Sequence, residues 1–428
     1  MVGAGLAGFG SALLFGVPAG FSQPLAAFFA GAGALGGGIL AYVSGQRSRE
    51  LADAHHKAEM SREKERHRED SRRERESSLR ERYTAIAAQI AHDSPAVRQA
   101  GVYALTALAD DWHSFGEDDE RQVCINLLQW YLRVPILQTS DGGKPDLAER
   151  EIRTTIVGIL AERRSRPTND TKSWGRTSIA LQQAYLLECN LTGLDLTDIT
   201  LTGANLSGTD LFDTNLYGAD LVRADLTGAI LHRADLQHAD LAGANLTRAN
   251  LDRAYLASAN LAGAKLAGAN LAGAKLAGAN LHNTNLTDAI LARAALTSAD
   301  LDTTNLTAAD LHDADLHDAN LARANLAGAN LTRANLHRAN LRDADLYRTN
   351  LTSTNLSYTN LTGANLTDAN LAGADLTDAN LRDADLAGAN LTRTGLTGVD
   401  IANAKHNERT RWPDGFTLNP SGELGSLP

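Results

Sequence analysis

A leucine returns at every fifth residue from Leu181 to Leu396, a run of 44 leucine positions, and Ile401 follows in phase. The residue two before each leucine is nearly always Ala and sometimes Thr, and the residue directly before it is usually Asn or Asp. A period of five matches neither the 3.6-residue period of a helix nor the two-residue period of a strand. The chain must therefore turn a corner every five residues, with leucine and alanine facing inwards.

A coil of this kind cannot bury its own leucines, so the coils above and below must cover them. The charged residues two after each leucine indicate how many five-residue units form a coil. At a separation of four units opposite charges outnumber like charges, whereas at three and five units like charges prevail. Stacked like charges are destabilising, so the pattern predicts four units per coil and eleven coils. The opposite pairs are Asp213/Arg233, Arg293/Asp313, Asp313/Arg333, Asp318/Arg338, Arg323/Asp343 and Arg348/Asp368, and the like pair is Arg233/Arg253.

One column of the predicted core follows leucines that are four units apart. Alanine two positions before each leucine leaves room for the leucine in a narrow interior, and Thr284 and Thr304 are expected to stack in one such column. The predicted structural ladder is Leu191, Leu211, Leu231, Leu251, Leu271, Leu291, Leu311, Leu331, Leu351, Leu371 and Leu391.

Several units depart from this pattern. Larger residues replace alanine near the ends, at Leu194, Ile199 and Val399. The Asn or Asp is replaced at Tyr255, Lys265, Lys275, Ile230, Ile290 and Ala295. These replacements are either a contact patch or simple tolerance of an edge position, and the sequence alone favours tolerance.

The first charged side chain is Arg47, and an apolar stretch precedes it. A bilayer core needs about 20 helical residues, so residues 1–45 are predicted to form two transmembrane helices, at 2–21 and 25–43. Arg47 and Arg49 after the second span place that side in the cytoplasm. A cleaved signal peptide is disfavoured because no basic residue precedes the apolar segment, whereas a buried soluble helical hairpin stays open.

Residues 46–82 are crowded with opposite charges three or four apart, such as Glu76 and Arg80. They predict a solvated juxtamembrane helix or, alternatively, a disordered linker. Residues 83–175 have the apolar spacing of a small helical domain, with an N-terminal cap at Ser94-Pro95. In this domain Cys124 is expected to be a core thiol and His113 a surface residue.

The repeat from Leu181 to Ile401 resembles the pentapeptide-repeat family. This resemblance implies a right-handed quadrilateral parallel β-helix over 176–405, here preceded by an all-α region with the transmembrane hairpin. Arg82–Arg133 is similar to the helical segment of membrane-associated actinobacterial members, and Thr410–Phe416 is similar to the tail that closes many such repeats. Within the C-terminal cap and tail, 406–428, Trp412 and Phe416 are expected to cover the last coil, and Trp174 the first.

We find no pattern for a catalytic, cofactor or metal site, so the chain is not expected to be an enzyme. His312, His317 and His337 are interpreted as surface decoration. A net charge of −11 disfavours nucleic-acid binding. The preferred function is a membrane-anchored scaffold with a cytoplasmic repeat domain and an unidentified protein partner, and a homo-oligomer stays open. The alternative is a DNA-mimicking, gyrase-binding protein of the quinolone-protection type.

Overall fold

A computed structural model describes residues 23–135, 146–167, 169–170, 172–175 and 179–417, with side chains from residue 41 onwards. The chain divides into two units, residues 1–80 and 81–428. The predicted first membrane span, 2–21, lies outside the described residues, as does the tail after residue 417.

Helix α1 runs from Gln23 to Ile90 without interruption, across the boundaries predicted at residues 45 and 82. Its charged part is helical and almost entirely exposed between residues 41 and 80. The predicted pair of Glu76 and Arg80 forms at 2.9 Å. No helix in the described part of the chain is both long and apolar enough to cross a membrane.

Three further helices form the helical domain: α2, Pro95–Phe115; α3, Asp118–Arg133; and α4, Leu147–Ser165. Helix α2 begins at Ser94-Pro95 as predicted, although the Ser94 hydroxyl makes no capping bond. Cys124 is buried among apolar side chains. Tyr103 on the same helix is 56% exposed, although it is apolar over most of its surface. It lies one residue after the buried Val102, about 100° further round the helix.

The repeats from residue 180 to residue 405 stack as parallel coils, with one short paired position on each face of every coil. Each paired position joins a residue to the one four units later, as in Asp240 and Asn260, so a coil has four faces. All eleven predicted ladder leucines lie inside and are at most 1% exposed. Thr284 and Thr304 are also buried, and their hydroxyls donate to the carbonyls of Leu261 and Leu281.

The unit around Leu241 shows how all five backbone N–H groups find acceptors. The N–H of Asp240 donates to the preceding coil, and those of Leu241 and Gly243 donate to the following coil. The N–H of Ala239 closes the corner onto Leu236 at 3.1 Å. The N–H of Ala242 has no backbone acceptor and donates to Oδ1 of Asp240 at 3.0 Å.

The residue directly before each leucine is called the Asx position, because its side chain meets this remaining N–H. Its amide also links neighbouring coils: Asn260 Nδ2 donates to Asp240 Oδ1 at 2.9 Å, and Asn280 Nδ2 to Asn260 Oδ1 at 3.1 Å. A backbone N–H left without an acceptor costs stability. The preference for Asn and Asp therefore follows from the geometry of the corner.

The residue two after each leucine, called the corner position, adopts the left-handed conformation, with φ of 60° at Arg233 and 65° at Gly243. Four predicted charge pairs form between corner residues of adjacent coils: Asp213/Arg233, Asp313/Arg333, Asp318/Arg338 and Arg348/Asp368. Two predictions are wrong. Arg323 binds Asp302, the outer residue on the preceding coil, instead of Asp343; its Nη2 lies 2.5 Å from Asp302 Oδ2. Arg293 makes no ion pair in the described part of the chain.

The helical domain covers the first coil. The carbonyl of Leu132 at the end of α3 accepts the N–H of Tyr185 at 2.7 Å. The buried guanidinium of Arg153 donates to the carbonyls of Leu132, Val134 and Tyr185, and to Glu149. One arginine thus joins α3, α4 and the first coil.

Trp174 does not act as the predicted lid of the first coil by itself. It is buried, its backbone N–H donates to the carbonyl of Arg163, and its indole N–H donates to Asp110 at 3.2 Å. These contacts hold it against α2 and α4, while α3 and α4 contact the first coil through Leu132 and Arg153.

At the other end the regular spacing changes. Asn390 pairs with Arg411 and not with residue 410, so the final coil contains one extra residue. Trp412 and Phe416 stack with ring centroids 4.5 Å apart. Phe416 and Pro413 line a space of about 280 Å³ beside Leu396. Phe416, which stacks on Trp412, thus faces the same space as Leu396, the last leucine of the repeat.

We expect Leu251→Ala to destabilise the repeat rod by about 2–5 kcal/mol, because it leaves a cavity in a closed interior. The measurement is the denaturant midpoint of the full chain. Val222→Ala is the matched control, since Ala242 occupies the equivalent outward position one coil later. Equal destabilisation by both substitutions would contradict the inward orientation of Leu251.

We expect Lys265→Asn to stabilise the rod by about 1 kcal/mol. The new side chain would accept the N–H of Ala267 and continue the ladder between Asn245 and Asn285, with which residue 265 already pairs. Thermal unfolding of this variant is compared with that of Lys265→Ala, which removes the charge without adding an acceptor. The explanation fails if the alanine variant is equally stable.

Candidate interaction surface

Chemistry on the rod is restricted to three positions in each unit, because leucine and the small residue two before it face the interior. The Asx position, the outer position directly after leucine, and the corner position all reach the surface. A site must therefore be built from equivalent residues of successive coils on one face, and from residues of neighbouring units on adjacent faces.

Away from its two ends, the rod departs from Asn and Asp on three adjacent faces of its middle coils. We call these six residues the central patch: Ile230, Tyr255, Lys265, Lys275, Ile290 and Ala295. Tyr255 pairs with Lys275, which pairs with Ala295, so these three stack in one column. Ile230 and Ile290 lie on the face that directly precedes this column in each coil. Lys265 lies one face earlier than Ile230 and Ile290. The large apolar members are 41–47% exposed.

Each member of the central patch lacks the side-chain oxygen that accepts the N–H of the outer residue elsewhere in the rod. A single missing hydrogen bond of this kind lowers stability by about 1 kcal/mol. Simple tolerance of an edge position, which the sequence alone favoured, does not account for this cost. The clustering of six such losses makes the central patch the candidate interaction surface.

Beside the central patch lies a cleft of about 420 Å³, which we call the Gly273 depression. Gly273 and Ala272 form its low part, and its other lining residues are Asp252, Arg253, Tyr255, Lys275 and Arg293. Arg253 and Arg293 are the corner residues of the coils on either side of Gly273. Three cationic side chains thus surround a corner that has no side chain of its own.

Histidines on adjacent coils also stack on the surface of the rod. The rings of His317 and His337 are parallel, with centroids 5.2 Å apart. His317 contacts Asp318, and His337 contacts Ser357. His312 and its contact Asp310 both belong to the unit that precedes His317. Among the described residues, no group of three or more His, Cys, Asp or Glu side chains is placed to hold a metal ion.

The two cysteines have environments that suppress thiol chemistry. Burial raises the pKa of Cys124 to about 12 and that of Cys189 to about 11. Both thiols are therefore protonated at neutral pH, and a thiol is a far weaker nucleophile than a thiolate. His113 lies at the end of α2, where its Nδ1 is 2.7 Å from Asp118 Oδ1.

Sequence reasoning identified the members of the central patch but missed the Gly273 depression. The available signal was the replacement of a corner arginine by Gly273 between Arg253 and Arg293, with Lys275 two residues later. That signal is weak without coordinates, because glycine is common at corner positions throughout the repeat.

Comparison with known proteins agrees with this architecture. The family model described as pentapeptide repeats matches eight times and covers residues 189–405 without a gap. No curated protein matches the chain.

Solved structures of pentapeptide-repeat proteins are similar to this chain. HetL, involved in heterocyst differentiation regulation in the cyanobacterium Nostoc sp. strain PCC 7120, is 36% identical over 51% of this chain and 87% of its own, with a TM-score of 0.23. Rfr23 from the cyanobacterium Cyanothece 51142 is 42% identical over 22% of this chain and 63% of its own, with a TM-score of 0.22.

The plasmid-mediated fluoroquinolone resistance protein QnrB1 is 18% identical over 45% of this chain and 91% of its own, with a TM-score of 0.25. Pentapeptide-repeat proteins form right-handed quadrilateral β-helices, which agrees with the pairing of every fourth unit described above. The resemblance inferred from the leucine spacing is confirmed, and the chain belongs to the pentapeptide-repeat family.

Proposed function

We propose that this protein is a non-enzymatic scaffold whose repeat rod presents the central patch to a protein partner, with residues 1–45 attaching it to the cell membrane from the cytoplasmic side. The single observation that supports a scaffold most is the grouping of Ile230, Tyr255 and Ile290 with three other departures. These positions give up a stabilising hydrogen bond and expose apolar area instead. Exposed apolar and aromatic side chains are typical of interface cores.

A scaffold also requires rigidity, and the rod has a physical source for it. Each coil is bonded to its neighbours through backbone groups and through the Asx ladder, while leucines fill the interior. A surface fixed in this way loses little conformational entropy when a partner binds. The partner expected at the central patch has an apolar contact region and some acidic residues, which would complement Lys265 and Lys275.

Support for membrane attachment comes from the sequence alone: no charged residue precedes Arg47, and basic residues follow the apolar stretch. In the sequence, residues 46–175 lie between this apolar stretch and the repeats. This part of the proposal is tested separately from the scaffold.

The DNA-mimicking, gyrase-binding alternative has less support. DNA mimicry needs an uninterrupted acidic surface, whereas Asp213, Asp313 and Asp318 each bind an arginine on the next coil. Protection of DNA gyrase from a quinolone by the purified chain would favour this alternative.

We expect the double substitution Ile230→Asn and Ile290→Asn to abolish partner recovery without unfolding the rod. Both asparagines would restore missing Asx bonds while removing exposed apolar area. The measurement is chemical crosslinking in cells with the tagged full chain, followed by quantitative identification of captured proteins. A loss of at least tenfold, about 1.4 kcal/mol, is expected for the true partner.

The matched control is Tyr358→Ser, which removes an exposed aromatic side chain outside the central patch. Serine already occupies the same left-handed corner position at Ser298, so this control keeps the backbone. If the control and the double variant capture the same proteins as the unaltered chain, the central patch is not the interface.

We expect deletion of residues 1–45 to move the protein from the membrane pellet to the soluble fraction. The physical reason is the removal of the apolar segment. Fractionation of cells expressing each form, with extraction by salt and then by detergent, is the measurement. The anchor is wrong if the full-length chain is also recovered in the soluble fraction.

A further inference from the structure

The Gly273 depression has a charge composition that its equivalents on the rod do not share. Arg253, Lys275 and Arg293 line it, and Asp252 is its one carboxylate. Asp252 is already occupied, since its Oδ2 lies 2.9 Å from Nδ1 of His232 and 3.8 Å from Nε of Arg253. Lys275 and Arg293 form no ion pair within the described part of the chain.

The same corner five coils later provides an internal comparison. Gly373 occupies the position equivalent to Gly273, and Ala372 the position equivalent to Ala272. The residues that replace Arg253, Tyr255 and Lys275 there are Ser353, Asn355 and Asp375. Arg393 is equivalent to Arg293, so one cation is kept there. Glycine at a corner therefore does not require three surrounding cations, and Arg253 and Lys275 need another explanation.

A further comparison concerns how the rod neutralises its corner arginines. Arg233 and Arg333 belong to the same column as Arg253 and Arg293, and each binds an aspartate on an adjacent coil, at 2.9 and 2.7 Å. An aspartate at residue 273 would do the same for Arg253 and Arg293. Glycine there leaves Arg293 without an ion pair and Arg253 with only its longer contact to Asp252, and it opens the space between them.

We propose that the Gly273 depression binds the phosphate monoester group of a ligand. With three cations and one carboxylate its lining has a net charge of +2, which matches the charge of about −1.5 to −2 on a phosphate monoester at neutral pH. The planar forks of Arg253 and Arg293 suit paired hydrogen bonds to phosphate oxygens, and Lys275 adds a point charge. The ring of Tyr255 lies at the same cleft and offers an apolar surface to the remainder of the ligand.

This site does not depend on the scaffold proposal, because it requires no protein partner. The phosphate can belong to a soluble metabolite or to a lipid headgroup. The two sources share the chemistry that the depression recognises, and the experiment distinguishes them.

The experiment titrates the full chain with phenyl phosphate by isothermal calorimetry, and measures its sedimentation with phosphatidylcholine vesicles that contain or lack phosphatidic acid. We expect saturable binding of one phenyl phosphate and weaker binding of phenyl sulfate, which has one negative charge. Binding to phosphatidic acid vesicles alone would assign the phosphate to a lipid. Binding of neither probe overturns the proposal.

Gly273→Asp is the decisive variant. Asp213 and Asp313 occupy equivalent corners with φ of 52° and 56°, so an aspartate fits this backbone. The new carboxylate would lie between Arg253 and Arg293, and we expect at least tenfold weaker binding with no decrease in the melting temperature. The control, Gly373→Asp, adds the same charge to the same column five coils away and should leave binding unchanged. Equal loss in both variants, or no loss in Gly273→Asp, overturns the proposal.

Discussion

The structure of the repeat depends on one hydrogen-bonding requirement at the surface as much as on the leucines inside it. A chain that turns every five residues pairs four of its five N–H groups with backbone carbonyls and leaves one without a partner. Asp240 meets this requirement through Oδ1, and its counterparts in other coils do the same. Because the same oxygen also accepts the amide of the next coil, the residue that completes one corner also joins two coils.

This requirement changes how variation along the rod is interpreted. An outer residue can vary more freely, since its side chain does not fill the core and the ladder uses it only where a threonine hydroxyl such as that of Thr227 accepts an Asx amide. A departure at the Asx position instead lowers stability locally, so Tyr255 and Lys275 are more informative than the many substitutions around them. The physical cost, and not the unusual appearance of the residue, is the reason for assigning them to a functional surface.

Much of the repeat could be predicted from the sequence because its determinants are periodic. The coil of four units follows from charge pairs such as Asp313 and Arg333, because two residues 20 apart become neighbours only if each coil contains four units. The partner of Arg323 could not be predicted, since a long side chain can reach Asp302 on the preceding coil as easily as a corner residue. The contacts of Arg153 were also beyond sequence reasoning, because they depend on how α3 and α4 lie over the first coil. The Gly273 depression is defined by the absence of a side chain, which no periodic pattern marks.

The extra residue in the final coil has a consequence for how such a rod can change in length. Insertion or loss of a whole four-unit circuit upstream would keep every later side chain on its original face. A single unit inserted between residues 253 and 275 would instead rotate everything downstream by a quarter turn, and would part Lys275 from the corner of Arg253. At Arg411 the phase itself is broken by one residue. Because Arg411 still pairs with Asn390 and the Thr410 hydroxyl still donates to the carbonyl of Leu386, the extra residue is absorbed within the final coil and the stacking register is recovered after it.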